Sequence, residues 1–213
     1  MIYAIGDSFT FGDELSSQEL AWPSVLAKKL DKEIVNKGRP ATGNNRMVKR
    51  AIDAVINQSK MVIIGWSDCN RQEFADDKGI YDIWAGRNFR SFFDDTHRIG
   101  LIKHMTAYDT PEYYYAKWLR QIILVQSLCK LNHVPCVMFI SCGANLSHNL
   151  YSNNFPKLVN AIDQSFFVSD MSTSVAEWTW GTPHGPNGHP LEQGHEIIAD
   201  KIYEHIRNKC WIP

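Results

Sequence analysis

Three short, almost unbroken apolar runs limit what this chain can fold into: Ile2-Tyr3-Ala4-Ile5, Met61-Val62-Ile63-Ile64-Gly65 and Val134-Pro135-Cys136-Val137-Met138-Phe139-Ile140. Each has the length of a strand, and each is apolar at consecutive positions, as in strands covered on both faces. Pro135 is tolerable because it stands near the start of its run. Helical spacing fills the stretches between them. Leu20, Val25, Leu26 and Leu30 share a face over 19–30, with Pro23 suited to a first turn. Met47, Ala51, Ala54 and Val55 do so over 46–58, and Tyr115, Leu119, Ile122, Ile123 and Cys129 over 112–131. Residues 33–36 and 166–168 read as shorter strands, and 158–162 and 191–208 as further helices. This alternation predicts an α/β/α sandwich of three layers around a mainly parallel sheet of about five strands.

Bulk properties narrow the function. A length of 213 residues suits one domain spanning 1–213, and a net charge of −1 offers no broad field for nucleic acid or an anionic membrane. No apolar run approaches the ~20 residues of a spanning helix, and no signal peptide is expected. Five cysteines form no Cys-x-x-Cys pair and leave an odd count, which fits reduced thiols and a cytoplasmic location.

Chemistry concentrates at the two ends of the chain. Gly6-Asp7-Ser8 follows the first strand, so Ser8 falls at the strand's carboxyl end, where open α/β sheets bind ligands. The tripeptide is also good turn chemistry, and Ser8 could simply cap a helix. Near the other end, Pro186-Asn187-Gly188-His189-Pro190 places a histidine in a Gly/Pro-rich loop before the last helix. His184 in the same loop is a second candidate base, whereas His195 on the helix is expected to pack. The spacing of 184, 189 and 195 suits no metal, and no cofactor is expected.

Together these blocks resemble the SGNH, or GDSL, hydrolase family of esterases and lipases. The resemblance implies a flavodoxin-like sheet, Ser8 as nucleophile and His189 as general base. The family's aspartate would lie two or three residues before that histidine, but Pro186 and Asn187 stand there. Asn187 can orient an imidazole but cannot neutralise an imidazolium, so either it serves weakly or a carboxylate such as Asp170 or Glu192 comes from elsewhere. If Asn187 holds that position, Asn187→Asp is expected to raise turnover.

For the oxyanion the resemblance implies the main-chain N–H groups of Ser8 and Gly43, with Gly43 preferred to Gly38 because it immediately precedes a helix. Gly65-Trp66-Ser67-Asp68 stands where the family has Gly-x-Asn-Asp, so Ser67 replaces the amide donor. Asn44, Asn45 or Asn70 could supply that amide instead, and Asp68 is expected to brace the loop. Asp7, Asn44, Trp66, Trp178 and Trp180 are expected to contact substrate, the two last tryptophans as an extended wall. Residues 69–111, aromatic and of mixed charge without a clean period, are expected to form a lid or insertion.

Two function classes follow. One is a serine esterase for small or carbohydrate-borne acyl esters, acting through an acyl-enzyme without nucleic-acid or membrane partners. The other is a ligand-binding module on the same scaffold, with catalysis lost or weakened.

Overall fold

The computed structural model describes residues 1–76, 79–84, 100, 103 and 110–211, with side chains of 74–84 left aside. Four parallel strands form the central sheet: β1 (Ile2–Ile5), β2 (Ile34–Asn36), β3 (Met61–Trp66) and β6 (Cys136–Ile140), in the order β2-β1-β3-β6. Register runs from Ile2 opposite Ile34 and Met61 on one side to Trp66 opposite Ile140 on the other. Because the strands are parallel, Ser8, Ser67 and Ser141 all follow carboxyl ends at the same edge.

The pleat sorts consecutive apolar residues to opposite faces. Val62, Ile64, Trp66, Met138 and Ile140 face α3 (Asn44–Ile56) and α4 (Pro111–Leu131), whose Met47, Ala51, Leu119, Ile122 and Val125 complete one core. Ile2, Ala4, Met61, Ile63, Val137 and Phe139 face α2 (Trp22–Leu30) and the last helix, α8 (Glu192–Asn208), through Trp22, Leu26, Ile198 and Ile202. The expected three-layer α/β/α sandwich is therefore present.

Two local expectations change. The fifth strand, expected at 166–168, contracts to one parallel bridge between Phe167 and Met138, because Gln164–Phe166 winds into a 3-10 turn. Part of 69–111 forms an antiparallel hairpin, β4 (Arg71–Asp76) with β5 (Gly79–Trp84), paired from Arg71 opposite Trp84 to Asp76 opposite Gly79. Most of the remaining lid expectation lies outside the described residues. Three further helices follow β6: α5 (Ala144–Tyr151), α6 (Pro156–Ala161) and α7 (Val175–Trp178). Among the described residues, no helix is long and apolar enough to cross a membrane.

Candidate functional site

Ser8 opens a one-turn helix, α1 (Ser8–Phe11), at the end of β1. Asp7 caps it by accepting from Phe9 N–H at 3.1 Å. Gly12 ends it in the left-handed region at φ 86°, returning its N–H to the Ser8 carbonyl. That reversal carries the chain back to Glu14, itself left-handed at φ 68°.

Glu14 meets the C-terminal loop. Its Oε2 lies 2.7 Å from His189 Nδ1 and accepts from His189 N–H at 3.2 Å. Asn187 donates from its main chain at 2.9 Å and from Nδ2 at 3.1 Å, both to Glu14 Oε1. Gly185 makes room for the carboxylate: a Cβ there would stand 2.6 Å from Glu14 Cδ. Burial would raise the Glu14 carboxyl, but the hydrogen bonds from Asn187 and His189 outweigh it and hold it below the ordinary carboxylate range. A carboxylate can only accept, so the proton of a neutral His189 sits on Nδ1 and Nε2 keeps its lone pair. The ring packs edge-on against Phe9, next to Ser8, with centroids 5.1 Å apart.

Glu14 is thus the carboxylate on His189, in place of the two candidates weighed from sequence. Asp170 accepts instead from Ser172 N–H at 2.8 Å, and Glu192 from Ser16 Oγ at 3.3 Å. Asn187 bonds to the acid, not in its stead. His195 is fully buried and accepts from Trp22 N–H through Nδ1 at 3.1 Å; burial pushes its imidazole down to about 4. His184 is exposed, its Nδ1 2.8 Å from the Thr182 carbonyl.

Beneath the Ser8 turn runs a buried polar network. Asp7, 0% exposed, accepts through Oδ2 from Ser141 Oγ at 3.0 Å and from Cys142 Sγ at 3.4 Å. Arg71 Nη1, from β4, lies 3.8 Å from the same oxygen and donates to the Thr42 carbonyl at 3.2 Å. One guanidinium therefore ties the hairpin to both the Ser8 turn and the loop before Gly43. Burial, with Asp7 adding to it, pushes the Cys142 thiol up to about 12.

This network absorbs several residues expected to face a ligand. Asp7 is a buried cap and ion-pair partner, so its substrate role is corrected. Asn44 accepts from Ser67 N–H and donates to the Ser67 and Asp68 carbonyls, all within 3.3 Å, which turns its amide inward. Ser67 is buried with its hydroxyl 3.7 Å from Cys142 Sγ. Trp66, expected at the substrate, is 0% exposed because β3 extends through it into the core. Trp178 ends α7 and packs 5.7 Å from Phe139, while Trp180 is 88% exposed; a helix in place of an extended segment sends them apart, so they form no common wall.

Gly43 is buried at the start of α3, and Asp68 braces its loop by accepting from Asn70 N–H and Nδ2. Asn45 Oδ1 accepts from Gln121 at 2.6 Å.

Solved structures share this fold at low identity. A G-D-S-L family protein from Desulfitobacterium hafniense DCB-2 aligns with TM-score 0.54 at 16% identity, over 96% of this chain and 98% of its own. An acetyl xylan esterase, Est2A, from Butyrivibrio proteoclasticus gives 0.53 at 14%, over 99% and 64%. A family two carbohydrate esterase from Clostridium thermocellum, solved with cellohexaose, gives 0.53 at 14%, over 100% and 65%. The chain thus spans nearly all of the first and just under two thirds of the two carbohydrate esterases. The shared property is the fold, a divergent form of the SGNH type. No curated protein matches in sequence. The profile described as "Family of unknown function (DUF6071)" matches residues 12–213, and the chain belongs to that family.

Proposed function

We propose that the protein is a serine hydrolase of carboxylic esters, with small acyl groups or acyl groups borne on carbohydrate as its substrates. The observation that carries this reading is the Glu14–His189 pair, 2.7 Å apart, with the imidazole packed beside the Ser8 turn. Glu14 fixes the Nδ1–H form, so Nε2 takes the Ser8 proton as Oγ attacks the acyl carbon. Main-chain N–H groups of Ser8 and Gly43 serve the oxyanion. The alcohol leaves with the proton from Nε2, and water, activated in the same way, releases the acid from Ser8. Carbohydrate esters are favoured because fold neighbours include an acetyl xylan esterase and a carbohydrate esterase solved with cellohexaose.

The test is fluorophosphonate labelling together with aryl-acetate turnover. The parent should label and turn over, and Ser8→Ala should do neither. Equal labelling of parent and variant would remove Ser8 from the mechanism, and a well-folded parent that neither labels nor turns over would leave a binding module.

A further inference from the structure

An open cleft of about 500 Å³ runs between the end of β2 and the outer face of α3. Lys37, Arg39 and Arg50 line it against a single carboxylate, Asp53, and Asn36 and Asn57 add amides. Basic residues thus outnumber acidic ones in this lining, in a chain whose net charge is −1. Arg50 Nη1 donates to the Lys37 carbonyl at 2.6 Å. Lys37 and Arg39 are exposed at the upper end.

That upper end adjoins the Ser8 turn. Arg39 N–H donates to the Gly6 carbonyl at 3.2 Å, two residues before Ser8. Asn36 Nδ2 donates to the Thr10 carbonyl of α1 at 2.9 Å, and a Cβ on Gly38 would stand 2.4 Å from Phe11 N. The cleft and the candidate nucleophile are therefore built on the same few residues.

We propose that this cleft is an anion subsite, in which Lys37 and Arg39 hold a carboxylate or phosphate on the alcohol side of the ester. Acylated acidic sugars and acylated sugar phosphates are then the favoured substrates. The link to turnover rests on Ser8 as nucleophile, whereas binding of the anion does not.

The test therefore measures binding first, with Ser8→Ala protein, by titration calorimetry with glucuronate, glucose 6-phosphate and glucose. At least one of the two acids should bind roughly tenfold tighter than glucose, more weakly as salt rises. Which acid binds better identifies the charged group. Adding Lys37→Gln and Arg39→Gln, with the fold checked by circular dichroism, should abolish that preference. Equal binding of glucose and both acids would overturn the subsite, as would a preference that survives the two substitutions. In the parent, KM for an acetylated glucuronate should rise about tenfold on the same substitutions. Acid binding by a parent that turns over no ester would uphold the subsite and overturn the reading of Ser8.

Discussion

Glu14 and His189 are hydrogen-bonded at 2.7 Å although 175 positions separate them. The acid leaves the same turn as Ser8, and only the imidazole comes from the far end of the chain. Negative charge at Nδ1 is the feature that Asn187 alone could not have supplied.

Glu14→Gln keeps the shape and removes the charge. On the proposed mechanism the imidazolium formed during attack then loses its counter-ion, and kcat for an aryl acetate should fall by about 10²–10⁴ with KM little changed. An unchanged kcat would show that the carboxylate has no part in turnover.

Asn187→Asp reverses in sign from the sequence-based expectation. Asn187 donates to Glu14 from both N–H and Nδ2, so a second carboxylate there removes a donor and sets like charges together. Turnover should fall roughly tenfold at neutral pH, and the melting temperature should fall with it. A gain in turnover would show that the new carboxylate serves His189 directly.

Arg71→Gln tests the network under the Ser8 turn. Asp7 would remain buried with Ser141 and Cys142 but without the guanidinium, at a cost on the order of 3 kcal/mol in stability. Urea unfolding measures this, and a midpoint equal to the parent's would show that the ion pair is dispensable.

His195 sets a pH response unrelated to chemistry. The unfolded chain protonates this imidazole near 6.5 and the folded chain only near 4, so acidification favours unfolding. Stability should drop by about 2 kcal/mol between pH 7 and pH 5 on this account. Replacing His195 with Gln should flatten that slope while lowering stability at pH 7. An equal slope in both proteins would show that the imidazole is not held neutral.

The strands of the main sheet were legible because burial on both faces demands consecutive apolar residues, and β1, β3 and β6 supply them. The hairpin was not: Arg71, Glu73, Asp76 and Asp82 interrupt any apolar run, and pairing between β4 and β5 brings the strands together without one. Ser8 and His189 stood out because a strand end and a Gly/Pro loop are local features. Glu14 did not, since any of 23 acidic residues could reach an imidazole once the chain folds. Its one local sign was its place just beyond Gly12, where the chain turns back past Ser8. Trp66 misled because a strand one residue longer than expected carries it from the rim into the core.

The left-handed reversal at Gly12 has a consequence for how the site comes together. Ser8 and Glu14 lie within seven consecutive residues on one stretch of backbone, so their spacing is set as soon as that turn forms. His189 is brought in by a single loop, latched by the contacts that it and Asn187 make with one carboxylate. A local opening of that loop would separate Glu14 from His189 while the sheet stayed whole, leaving, on the proposed mechanism, a folded protein that is chemically silent. The proposed esterase activity would then be governed by the closing equilibrium of one short segment.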